Sequence, residues 1–366
     1  MGRKFLVLFL ILMVLIGLSS VYVVGGLQAY SRYQQSRLAT QEHCGGQAPV
    51  RICVQTPVAI FSAFYRSYVD THTPLFTIWY SSSTPLTLFL SASIPGLSQS
   101  VTQTVNANAP MQSFRLTPPL VNDEVLRTLT VDESTSLHVQ VVDTKRHPYY
   151  LVDSPLLLRS RLVMQWGATN RLKIAAWVTP YDPAITQLIH RAATYLRTEP
   201  LPTPTAMIGY NEGKATPRAV KDQVDAMYDA LRLDYRMHYV QEGVPYAGLD
   251  DNSGTVQNIK LPFEVLQERS GMCVELTVLL ASAVESIGLH AEIVIVPGHA
   301  FLGVALTSDN RQFEYWDAVH VNDNVASDSA NLYTDDFYET NLRQHTIVDT
   351  ILIGEARVQG INPMVL

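Results

Sequence analysis

Hydrophobic and polar positions divide the chain into stretches of different period. The first is an uncharged run from Phe5 to Leu27, preceded by Arg3 and Lys4 and followed by no charge until Arg32. As a helix such a run is about 34 Å long, enough to cross a hydrocarbon core of roughly 30 Å. The basic pair at the amino terminus favours a cytoplasmic N-terminus, and Arg32 and Arg37 weaken that vote without reversing it. The alternative is a cleaved signal peptide, whose apolar region normally spans about 7–15 residues. No Ala-x-Ala site follows Leu18. Both readings send the rest of the chain out of the cytoplasm. The expectation is a single-pass anchor over residues 1–29, with residues 5–27 in the cell membrane, then a polar tether over 30–56.

From 57 to 178 the pattern becomes short runs of Val, Leu, Thr and aromatics broken by turn residues. Leu75–Tyr80, Leu86–Leu90, Leu137–Val142 and Leu156–Trp166 read as strands. Pro85, Pro95-Gly96, Pro110, Pro118-Pro119 and Pro148 punctuate them and forbid long helices. This spacing predicts a β-sandwich, Ig-like in architecture only, since the Cys–Trp–Cys core pattern is missing.

Near Thr179 the period switches to that of helices, opening a domain expected over 179–366. Asp182 and Pro183 suit a helix start, with Ile185, Leu188, Ile189, Ala192 and Leu196 on one face. Thr216 and Pro217 open another, striped by Val220, Val224, Met227 and Leu231. A loop over 241–256, rich in Gly and Asp, can rim a cleft. A third helix starts at Cys273, carries Leu276, Leu279, Leu280, Ala283, Val284 and Ile287, and ends at Gly288. Strands follow at Ala291–Val296, His299–Leu306 and Gln312–Val319.

Composition narrows the classes. The 366 residues are 47% hydrophobic and only 16% charged, with a net charge of −7. That excludes a disordered chain, and without a basic stripe nucleic acid is not an expected partner. Cysteines number three, too few for a disulfide scaffold or a Cys-based zinc site. His290 and His320 read as surface residues and lack HxxxH or HExxH spacing, so zinc is not expected. Cys44 and Cys53, nine positions apart with Gly45 and Gly46 between them, can close a disulfide in an oxidising compartment. Cys273 would then be the one free thiol.

Candidate chemistry gathers around that thiol. A cysteine in the first turn of a helix faces unpaired N–H groups and the positive end of the dipole, which strengthen it as a nucleophile. A hairpin centred on Ser308 sets Phe301 opposite Tyr315 and His299 opposite Asp317, and an odd-length loop keeps the last two on one face. Cys273, His299 and Asp317 are thus the parts of a nucleophile, a base and a group that orients the base. The Cys273 N–H is the natural donor to an oxyanion. Glu275 reads as a capping residue of the helix start, and Tyr315 and Trp316 as strand packing.

Arg269-Ser270-Gly271-Met272-Cys273-Val274-Glu275, Gly288-Leu289-His290-Ala291, His299-Ala300-Phe301 and Trp316-Asp317 resemble the transglutaminase-like superfamily over roughly 205–320. The resemblance implies a papain-like α+β domain and thiol acyl transfer without a cofactor, with catalytic roles on Cys273, His299 and Asp317. Relatives often carry the Asp a few residues after the Trp and before Pro. Trp316-Asp317-Ala318 is contracted, which leaves Asn322 and Asp323 as weaker substitutes. The expectation is a β-sandwich between the membrane and a transglutaminase-like domain. The protein would act outside the cytoplasm on peptide or amide bonds through an acyl-enzyme on Cys273, as a cysteine peptidase or an amide-crosslinking enzyme. The rival is a catalytically silent binding or scaffold module that uses the sandwich. An active enzyme must keep an alkylatable Cys273, and a scaffold need not.

Overall fold

Val50, Ile52 and Val54 alternate with Arg51, Cys53 and Gln55, and that period of two makes a strand where a tether was expected. The computed structural model describes residues 40–66, 75–108, 110–116, 122–167, 170–196, 206–211, 213, 215–241 and 256–365. The expected anchor at 5–27 lies outside them. Among the described residues no helix is long and apolar enough to cross a membrane. The tether expectation is corrected from residue 40 onward. Strands β1 (Thr40–Gly45) and β2 (Val50–Pro57) form a hairpin whose inward face, Val50, Ile52 and Val54, is buried. Only three apolar residues carry that alternation, and the polar, glycine-containing sequence before them obscures it.

The N-terminal unit continues with β3 (Ala59–Phe61), β4 (Phe76–Ser82), β5 (Leu86–Ser93), β6 (Val101–Ala107), β7 (Gln112–Leu116), helix α1 (Asp123–Thr128), β8 (Glu133–Asp143) and β9 (Pro148–Arg159). They form one sheet of order β1-β2-β4-β7 and another of order β3-β9-β8-β5-β6. All pairs are antiparallel except β3 with β9. Both sheets feed one apolar cluster, with Ile52, Ile78, Leu88, Leu90, Val139 and Val141 fully buried. At about 25 cal/mol per Å² of apolar surface, burial of that kind holds the unit together.

The expected strand Leu156–Trp166 is split at Ser160–Leu162. β10 (Val163–Gln165) leaves the sheets and pairs with β12 (Val256–Asn258). Met164, Trp166, Ile174 and Trp177 already belong to the second core, so the change of unit falls some fifteen residues before the expected boundary at 178/179. Trp177 is the reason. Its indole Nε1 donates to Ile259 O at 2.8 Å, tying this connection to the later domain.

That domain contains α2 (Pro183–Ala192), α3 (Pro217–Ala230), β11 (His238–Tyr239), α4 (Pro262–Glu268), β13 (Ser270–Gly271), α5 (Cys273–Ser286), β14 (Ala291–Val296), β15 (His299–Ala305), β16 (Phe313–Trp316), α6 (Ser327–Gln344), β17 (Asp349–Leu352) and α7 (Ile353–Val358). Asp182 and Thr216 cap α2 and α3 as their positions predict, each accepting a first-turn N–H. An antiparallel sheet of order β16-β15-β14-β17 lies at the centre. Ala300, Leu302 and Val304 face the core shared with α5, while Phe301 and Tyr315 pack with Tyr338 of α6. The site therefore lies where α5 begins and β15 begins.

Candidate active site

Cys273 opens α5, so its N–H has no intrahelical acceptor and the helix dipole points its positive end at the thiol. Glu275 fixes this start. Its Oε2 accepts the Met272 N–H at 3.0 Å and its Oε1 the Lys260 N–H at 2.8 Å, the capping role its position predicts. Gly271 is closely packed: a Cβ there would lie 3.1 Å from Val265 Cγ1 and 3.2 Å from Leu276 Cδ2, so those side chains would have to give by a few tenths of an ångström. Cys273 is half-buried and is the one free cysteine among the described residues.

His299 opens β15. Its Nε2 lies 2.6 Å from Asp317 Oδ2, and the Cys273 side chain acts on the same imidazole, raising its pKa. With Nε2 taken by the carboxylate, Nδ1 is the nitrogen left for sulfur. Burial opposes charge on this imidazole. The hydrogen bond to Asp317, the Cys273 side chain and the charges on both overcome it and push the His299 pKa up to about 10. Such an imidazole holds its proton at neutral pH.

The register differs from the expected hairpin in one respect. Gly303 faces Tyr315 and Ala305 faces Phe313, so the turn is centred on Asp309 rather than Ser308. The loop keeps its odd length, and His299 and Asp317 stay on one face as diagonal rather than direct neighbours. Asp317 follows the last residue of β16 and caps a 3-10 turn, Ala318–Val321. Its Oδ1 accepts the Val319 N–H at 3.1 Å, and its own N–H donates to Thr334 Oγ1 at 2.9 Å. The contraction of Trp316-Asp317 is accommodated because the strand ends there and the chain turns at once. Asn322 and Asp323 are not the partners of His299. Asn322 Oδ1 accepts the Tyr239 N–H at 3.3 Å, and Asp323 is exposed beside it.

Several residues escaped the sequence reading. Thr277 Oγ1 lies 2.8 Å from Cys273 O and 3.1 Å from Ala300 O, linking the helix that carries the thiol to the strand that carries the imidazole. Trp316 Nε1 donates to the buried Asp225 Oδ1 at 2.9 Å, which anchors β16 just before Asp317. Tyr239 flanks the site from β11. Its phenol pKa is raised by burial first and then by the charges on Cys273 and Asp317. For Thr277 the period of four after Cys273 was a readable signal; the partners of Asp225 and Tyr239 are set only by the fold. His290 pairs through Nδ1 with Asn310 at 2.6 Å, and His320 packs edge-on to Tyr333.

The model of the transglutaminase-like superfamily matches residues 185–344, a span that includes the thiol, the imidazole and the carboxylate. Over residues 185–344 the chain is thus similar to a transglutaminase-like domain. The match reaches beyond the 205–320 of the sequence resemblance, adding α2 at one end and α6 at the other. No curated protein matches the chain. The transglutaminase-like domain thus has mixed α/β content, and its superfamily points to papain-like thiol chemistry.

Proposed function

We propose that the protein is a thiol acyl-transfer enzyme that opens peptide or amide bonds through an acyl-enzyme on Cys273. The observation that carries this reading is the meeting of three side chains, with His299 between Asp317 and the thiol. The Cys273 thiolate attacks the amide carbonyl carbon and a C–S bond forms. The Cys273 N–H, free of a helical acceptor, donates to the developing oxyanion. The imidazolium gives its proton to the leaving amine, the C–N bond breaks, and a thioester remains. Water then adds, giving a proton back to His299, and the acid departs as the thiolate is restored. Asp317 holds the ring orientation and balances its charge throughout. Hydrolysis is preferred to amide exchange because nothing in the sequence marks a site for an acyl-accepting amine.

The same proposal places this chemistry outside the cytoplasm, on a chain anchored through residues 5–27, and treats the two N-terminal sheets as a β-sandwich. The uncharged run between Lys4 and Arg32 supports the first part, and the single cluster fed by both sheets supports the second. Assay of the full chain against acyl-peptide amides, with and without amine acceptors, tests the activity. Release of amine and free acid that Cys273→Ala abolishes is expected. Unchanged release in that variant would contradict the proposal.

A further inference from the structure

Helix α6 wears most of its large apolar residues on the outside, with Tyr338 the exception. Its buried positions are Ser327, Ala330, Asn331, Thr334 and Asn341, all small or polar. Leu332, Tyr333 and Phe337, by contrast, are 67%, 60% and 40% exposed. A surface helix ordinarily turns its apolar stripe inward. Here the inward positions serve β16 instead. Asn331 Nδ2 donates to Tyr315 O at 2.9 Å, and Thr334 accepts the Asp317 N–H.

Tyr333 and Phe337 are one turn apart on one side of the helix. Phe337 meets the His299 ring edge-on, with centroids 6.2 Å apart. Tyr333 meets His320 at 6.1 Å, and His320 lies in the 3-10 turn that Asp317 caps. A wall of two exposed aromatic rings therefore begins at the imidazole of the site and runs outward along α6. That continuity makes the substrate its natural occupant.

We infer that Tyr333 and Phe337 form an apolar subsite of the thiol cleft, selecting acyl donors with an aromatic or large aliphatic side chain next to the scissile carbonyl. The inference rests on the acyl-transfer reading above and adds the substrate class. Half-exposed rings lose water contact when an apolar side chain lies on them, and flat apolar recognition of this kind discriminates by about tenfold or somewhat more.

The test uses the full chain and N-acetyl amino-acid thioesters of Phe, Leu, Gly and Lys, with iodoacetamide alkylation of Cys273 as a side-chain-blind control. Phe and Leu donors should exceed Gly in kcat/KM by about tenfold. In Tyr333→Ala the ratio should fall toward one, chiefly through KM, while the alkylation rate follows that of the unaltered chain. Phe337→Leu should keep a preference for Leu and lose more of that for Phe. A Phe/Gly ratio unchanged in Tyr333→Ala would overturn the inference, as would a preference for the Lys donor. So would an equal loss for every donor with a shifted pH profile in Phe337→Leu, the mark of a ring that merely shields His299. Turnover of no donor by the unaltered chain would reject the acyl-transfer reading itself, which separates the two failures.

Discussion

At the scale of the residue, the weight of the account falls on one imidazole held between a carboxylate and a thiol. Cys273→Ala should abolish turnover with little change in stability, and His299→Ala should lower kcat/KM by about 10³-fold or more, since nucleophile and base act as a unit. Asp317→Asn should cost less and also change how stability responds to pH. The His299 pKa is raised from 6.5 to about 10, so the folded protein holds a proton between those values that the unfolded chain has released. That stabilisation is complete below about 6.5 and is lost as pH rises toward 10. Without the Asp317 carboxylate the raised pKa relaxes, so the fall in urea midpoint from pH 6.5 to pH 10 should be shallower in Asp317→Asn. An identical slope in both proteins would count against the charged imidazole. Glu292 works the same way in the sheet: burial, against a hydrogen bond from Tyr315, pushes its carboxyl up to about 7. Its neutral form is the stable one, and ionisation as pH rises through 7 costs stability. Glu292→Gln should therefore match the unaltered chain at pH 5 and exceed it at pH 8 in urea midpoint.

At the scale of the element, α5 and β15 must meet at a fixed offset, and Thr277 is the visible link between them. Thr277→Val keeps the shape but removes the bonds to Cys273 O and Ala300 O. A displacement of the thiol approaching 1 Å from the imidazole costs about a hundredfold, so kcat should fall by roughly ten- to a hundredfold, with KM nearly constant. Stopped assays across substrate concentration separate the two constants, and a loss confined to KM would refute the positioning role. The elements that carry the site were legible in the sequence because each has a local cause. Cys273 precedes a helical stripe, Gly271 and Glu275 set the helix start, and the odd loop parity puts His299 and Asp317 on one face. The exact register was not legible, because a seven-residue connection can shift the pairing by two without exposing either face. The β1–β2 hairpin and the early entry of Trp166 and Trp177 into the second core were missed for a related reason. Their partners, β4 for the hairpin and Ile259 for Trp177, are distant in sequence and leave no periodic mark nearby.

At the scale of the whole molecule, two cysteines are taken and one is left. Cys44 and Cys53 face each other across the β1–β2 pair and are joined by a disulfide, with their Cα atoms 4.0 Å apart. Iodoacetamide without reductant should accordingly label Cys273 alone, and peptide mapping that found Cys44 or Cys53 alkylated would contradict the pairing. For the proposed anchor, the expressed chain should sediment with membranes, resist carbonate extraction and keep its N-terminal residues. A soluble product with a new N-terminus after the apolar run would favour the cleaved signal peptide. The central claim is narrower than either, namely that Cys273 is a nucleophile armed by His299. Intact-protein mass spectrometry after brief exposure to an acyl-peptide thioester tests it most directly. The account predicts one acyl adduct mapping to Cys273, absent in Cys273→Ala and strongly slowed in His299→Ala. An adduct that persists in Cys273→Ala, or that forms at the same rate without His299, would contradict it.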